Sequence, residues 1–173
     1  MAADGWIEAT EEASVPAPPA RVWPLIDDPA AMGRWFAFAD RMELVSGEGV
    51  GRHQRLHGHW GKKRSEIEQE IVAYEPERQL AWRHVSERLD GKPAPRFAAE
   101  TIFTVTLAPE REGTRVRLQS RQLAASRARG LVMRTFGQRE IRQQLERSLA
   151  GLRELVATRD SAPSRPSHSP SAD

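Results

Sequence analysis

The sequence predicts an α+β domain in which a series of antiparallel strands packs against one long C-terminal helix. Three observations carry this reading. Apolar residues alternate with polar ones in short blocks between residues 41 and 122, a separate alternating block precedes them at residues 6–15, and residues 126 to about 158 repeat apolar residues at helical spacing without a proline.

In the first block Trp6, Glu8, Thr10 and Glu12 oppose Ile7, Ala9 and Ala13, and Pro16 ends the strand. Pro18 and Pro19 then suit the first turn of a helix, where a missing amide costs nothing, and Val22, Leu25 and Ile26 supply its apolar stripe. Pro24 removes a backbone bond inside that helix, so the expected element is short or kinked. Asp27, Asp28 and Pro29 stop it, and Ala30 to Trp35 read as a second brief helical turn.

Six further strands are expected at 41–46, 50–59, 63–74, 78–86, 100–108 and 114–122, separated by Gly, Pro, Asp and Glu clusters, which makes seven strands in all. The last is the cleanest: Thr114, Val116, Leu118 and Ser120 share one face, and Arg115, Arg117, Gln119 and Arg121 the other. The closing helix carries Leu131, Ile141, Leu145, Leu149, Leu152, Leu155 and Val156, an apolar stripe able to cover the inner sheet face. Gly130, Gly137 and Gly151 each weaken it by up to about 1 kcal/mol relative to alanine. The domain is expected to span residues 1–159, followed by a disordered Ser/Pro-rich tail at 160–173.

Composition bounds the function. A chain of 173 residues suits one domain. With 26 Lys plus Arg against 24 Asp plus Glu, the net charge of +2 does not mark a nucleic-acid binder. The absence of cysteine removes disulfides, thiolate metal sites and thiol nucleophiles. No run of about 18 uncharged apolar residues occurs and no signal peptide is legible, so a cytoplasmic protein is the expectation.

The order of strand, two small helices, six-strand meander and long helix is that of the helix-grip fold. The sequence resembles the START-like (SRPBCC) superfamily, and within it the polyketide cyclase/dehydrase-like branch. The resemblance rests on Pro16 to Pro29 (PAPPARVWPLIDDP) with Arg34 and Trp35 after it, on Gly47 to Gly51 (GEGVG), on Glu75 to Trp82 (EPERQLAW) and on Gly113 to Val116 (GTRV), within residues 6 to 158. It implies a curved antiparallel sheet gripping the helix, with a cavity between them for a small apolar or amphipathic molecule. It does not imply one reaction, because the superfamily holds cyclases, carriers and chaperone co-factors alike.

Strand parity then nominates the cavity wall. Ser65 and Gln69 follow Ile67 and Ile71 inward, Trp82, His84 and Ser86 follow Leu80, and Ser120 and Gln122 follow Leu118, with Phe103 on the strand between. His84 is the candidate for proton transfer because an imidazole titrates near neutrality. Arg134 falls on the same helix face as Leu131, Gln138, Ile141 and Leu145, from which a guanidinium could hold a ligand oxygen, or else reach back to water. Trp35 and Phe38 follow the small helices, and a loop from Glu87 to Ala99 would lie at the mouth; packing is the competing role for Trp35 and Trp82.

Two patterns are read as surface. His53, His57 and His59 point away from the core if Leu56 points in, so no metal site is expected, and no cofactor either. The arginines between Arg127 and Arg159 are scattered over a solvated helix face rather than gathered for nucleic acid or a membrane.

The expected function is binding of a small hydrophobic or aromatic, polyketide-like molecule, with cyclisation or dehydration left open. The alternatives are a carrier, sequestering resistance factor or sensor using the same cavity, and a chaperone or toxin-like partner working through its surface. A monomer or homodimer is expected, with no nucleic acid and no membrane span.

Overall fold

The computed structural model describes residues 5–96, 98–126, 128, 130 and 137–160. Strand β1 (Trp6–Val15) leads into α1 (Pro19–Asp27) and α2 (Pro29–Met32). Pro19 begins α1, as a residue with no amide to satisfy should. Pro24 lies inside α1, which runs only one short turn further and buries Val22, Trp23, Leu25 and Ile26. Asp28 caps α2 by accepting a hydrogen bond from the Ala30 amide at 3.0 Å.

Seven further strands follow: β2 (Arg41–Ser46), β3 (His53–Trp60), β4 (Lys63–Glu75), β5 (Gln79–Leu89), the two-residue β6 (Lys92–Pro93), β7 (Ala98–Glu110) and β8 (Gly113–Ala124). They form one curved, unclosed antiparallel sheet in the order β1-β8-β7-β5-β4-β3-β2, with β6 beside β5. The seven expected strands are the seven of this path; β6 is the addition. It exists because the segment Glu87 to Ala99, expected as a loop, is in large part a hairpin. β5 continues to Leu89, turns at Asp90 and Gly91, both at positive φ (49° and 78°), and pairs back through Leu89 with Lys92 and Arg88 with Pro93.

Helix α3 (Gln138–Asp160) buries Leu145, Ser148, Leu149, Leu152 and Val156 against the sheet, chiefly over β1 and β8. Most of the expected first half of this helix, with Leu131 and Arg134, lies outside the described residues. Gly151 has a packing reason: a Cβ there would stand 3.3 Å from the Trp35 carbonyl oxygen, so glycine lets the helix close on the segment after α2. Ser148 ties the same segment down, accepting from the Ala37 amide at 2.9 Å while donating to the Gln144 carbonyl at 2.7 Å.

The core is continuous from α1 and α2 through the inner sheet face to α3. Trp82 and Phe103, paired across β5 and β7, stack with centroids 5.6 Å apart, and Phe36 meets both edge-on at 5.4 Å. The ladder between β5 and β7 stops at Arg83 and Ile102. Past that point β5 turns to β6, and a recess forms between the parting strands.

Candidate ligand cavity

The recess holds a cavity of about 340 Å³ lined by Phe36, Phe38, Leu56, Gly58, His59, Trp60, Ser65, Ile67, His84, Glu87, Phe103 and Gln122. A second, of about 400 Å³, adjoins it and shares Phe38, Ile67, His84, Glu87, Phe103 and Gln122, extending along Pro93 to Arg96 and Ala98 to Thr101. Each is within the size range of small-molecule sites, whose walls are mostly apolar with a few convergent polar groups.

Each wall residue is placed by its own element. The turn after α2 carries Phe36 and Phe38 over Phe103, with centroids 5.4 and 5.1 Å from its ring. That turn is latched to β3: the Asp40 amide donates to the His57 carbonyl at 2.8 Å, and Asp40 Oδ2 lies 2.5 Å from His59 Nδ1. Gly58 lets Phe38 sit this close, because a Cβ would come within 3.0 Å of the Phe38 carbonyl oxygen.

His84 lies inward on β5 beside Phe103, ring centroids 5.7 Å apart. Burial lowers its imidazole from 6.5 to about 4, so it is uncharged at neutral pH. Among the described residues no carboxylate or hydroxyl hydrogen-bonds to it.

Glu87, three residues on, is a cavity residue that strand parity missed. Alternation along β5 puts Ser86 inward and Glu87 outward, but Glu87 pairs with cavity-lining Ile67 and borders both cavities, whereas Ser86 pairs with Glu68 and borders only the second; both are exposed. The cause is a break in register: Gln69 pairs with His84 but Glu68 with Ser86, so Val85 is an extra residue on β5. Such a bulge reverses which side chains face the sheet interior, and Glu87 and Leu89 take the inward phase. Nothing in the composition of Val85-Ser86-Glu87 signals it. Ser65 Oγ donates to Glu87 Oε1 across 3.4 Å, and the partial burial of the carboxyl raises it above its ordinary value.

The other expected site residues divide by depth. Phe38, Ser65, Phe103 and Gln122 line the cavity. Trp82 is fully buried beneath it in the aromatic cluster, and Trp35 is core, donating through Nε1 to the Leu25 carbonyl at 2.7 Å. Gln69 is also below the cavity, accepting from Gln54 Nε2 at 2.9 Å. Gln54 lies in turn 3.4 Å from buried Arg52, whose guanidinium pairs with Asp27 at 2.8 Å. Gln138 lies over β1, its amide 3.3 Å from the Glu8 carbonyl it donates to. Arg134 and Leu131 fall outside the described residues.

Of the β3 histidines, His53 and His57 follow the expected outward parity, while His59 also borders the cavity. Leu56 is buried, His57 pairs with Glu43 at 2.9 Å on the outer face, and His59 is exposed at the rim. Among the described residues no group of three or more His, Asp or Glu is placed to hold a metal ion, and no helix is long and apolar enough to cross a membrane.

Comparison with known proteins agrees with this geometry. No curated protein matches the sequence. Among solved structures, TTHA0849 from Thermus thermophilus superposes with a TM-score of 0.71 at 23% identity over 88% of this chain and 99% of that one. Ara h 8.0201 gives a TM-score of 0.65 at 14% identity, covering 89% and 99%. The di-domain aromatase/cyclase StfQ of the steffimycin biosynthetic pathway gives 0.71 at 8% identity, covering 91% of this chain and 52% of that one. At these identities the likeness is one of fold. The family model described as polyketide cyclase/dehydrase and lipid transport matches residues 7–157, nearly the whole of the strand-and-helix framework around the cavity, and the chain belongs to that family.

Proposed function

We propose that the protein binds a small hydrophobic or aromatic molecule, of the size and oxygenation of a polyketide-type metabolite, in the cavity between the sheet and the segment after α2. The observation that carries this is the wall itself. Phe36, Phe38, Leu56, Ile67 and Phe103 supply an apolar surface, and Ser65, His84, Glu87 and Gln122 converge on it. The clustered rings of Phe36, Phe38 and Phe103 favour a flat ligand, since stacked and edge-on contacts add to simple burial.

Turnover, a cyclisation or dehydration, would draw on His84, and on Arg134 as the group that polarises an oxygen. A purely binding role has its own support: His84 has no orienting partner among the described residues, and the family description includes lipid transport.

The test is titration of aromatic polyketides against tryptophan fluorescence, for which Trp60 in the wall is the reporter, followed by mass analysis of each mixture. Saturable quenching that is lost on Phe103→Ala supports the cavity. Product formation abolished by His84→Ala or Arg134→Ala identifies an enzyme, and saturable binding with no product identifies a carrier. No quenching by any compound would overturn the reading.

A further inference from the structure

We infer that Glu87 and His84 form a base and hydrogen-bond-donor pair that removes a proton from the carbon beside a carbonyl group of the bound molecule. The inference rests on the cavity-binding reading above and names the chemistry of that same site.

The geometry begins with the bulge at Val85. Without it, residues 84 and 87 would face opposite sides of the sheet; with it, both line the same two adjoining cavities. Bulges recur where a strand must re-aim a side chain beside a site. Ser65 on the neighbouring strand faces the Glu87 carboxyl and restrains it, and Phe103 backs the His84 ring. The pair therefore has one carboxyl group and one uncharged imidazole, both lining the same cavity.

These two states suit different tasks. A carboxylate whose proton affinity is raised by partial burial is a better base than one in water, and a neutral imidazole can donate its N–H to an oxygen that is gaining charge. Glu87 takes the proton, the C–H bond breaks, its electron pair becomes a C=C bond, and the carbonyl oxygen takes the negative charge. His84 hydrogen-bonds to that oxygen without losing its proton. Return of a proton from the Glu87 carboxyl to the carbon restores every group, so no oxidant, reductant or co-reactant is needed. The same enolate could instead attack a second carbonyl in the ligand. Among the described residues the other titratable groups facing this space are His59 from β3, Arg96 from the segment before β7 and Glu100 on β7.

The experiment uses 2-tetralone in D2O, a bicyclic aromatic ketone of suitable size, and follows deuterium uptake at the carbon between ring and carbonyl by NMR. Binding is read separately by tryptophan quenching. The wild-type protein is expected to accelerate exchange over buffer, Glu87→Gln to lose about 100-fold of that acceleration, and His84→Phe about 10-fold or more, with 2-tetralone still bound by each. Exchange should rise with pH as Glu87 ionises, and Glu87→Gln should remove that limb while leaving any contribution of His59, Arg96 or Glu100. Quenching without accelerated exchange, or exchange and pH profile unchanged in Glu87→Gln, overturns the pair and leaves the binding reading standing. Absence of quenching by 2-tetralone and by the polyketide panel overturns both.

Discussion

His84 ties stability to pH through its burial. Its folded pKa, about 4, lies below the 6.5 of an unfolded chain, so between those values the unfolded state takes up a proton that the folded state refuses. The folded state is therefore at its full advantage above pH 6.5 and loses it as the pH falls toward 4, at about 1.4 kcal/mol per unit of difference. Urea unfolding at pH 7 and pH 4.5 should show a larger loss for wild type than for His84→Gln. Equal losses would place the imidazole in water. Arg52 makes a second residue-scale case. Its side chain is only 8% exposed and pairs with Asp27, so Asp27→Ala leaves a buried cation uncompensated and should cost about 3 kcal/mol or more in chemical denaturation. Arg41→Ala, which breaks the solvent-screened pair with Glu43, should shift the same measurement far less than Asp27→Ala.

At the scale of elements, what was legible followed from periodicity. Alternation placed all seven strands of the sheet path, because one face of each meets the core and the other meets water. It also carried Ser65, Phe103 and Gln122 to the cavity wall. Periodicity fails where the backbone leaves it: the bulge at Val85 brought Glu87 into the inward phase, and the hairpin through β6 took up a stretch whose prolines and glycine read as loop. Depth was equally illegible for Trp35, Gln69 and Trp82, since parity tells which way a side chain points and not what stands between it and the ligand. The docking of α3 yields a test at this scale. Gly151→Val would force two extra methyl groups against the Trp35 carbonyl, and the domain should lose about 1–3 kcal/mol in urea unfolding. Ser148→Ala, which orphans the Ala37 amide, should raise hydrogen exchange at that amide and along the turn bearing Phe36 and Phe38.

For the whole molecule, a hollow between the sheet and the segment after α2 is a place where apolar side chains lack neighbours. A ligand that fills it stabilises the folded state alone, and at 100 times its Kd the gain is about 2.7 kcal/mol. Thermal unfolding with a compound that quenches tryptophan should therefore show Tm rising with concentration. Phe103→Ala should abolish the rise. A rise of the same size in Phe103→Ala would place the compound on the outer surface, because a ligand held anywhere on the folded state alone stabilises it.

The parting of β5 and β7 beyond Arg83 and Ile102 has a consequence for how such a protein can diversify. The aromatic cluster and the docked helix lie on the paired side of that junction, and the Asp90–Gly91 hairpin with the strand that follows lies on the other. Substitutions at residues 93–96, which border the second recess and lie outside the apolar core, should therefore reshape that recess more than the packing. The deeper wall behaves differently, because Phe36, Leu56 and Phe103 are lining and core at once, so that surface changes only together with the packing that keeps the chain folded.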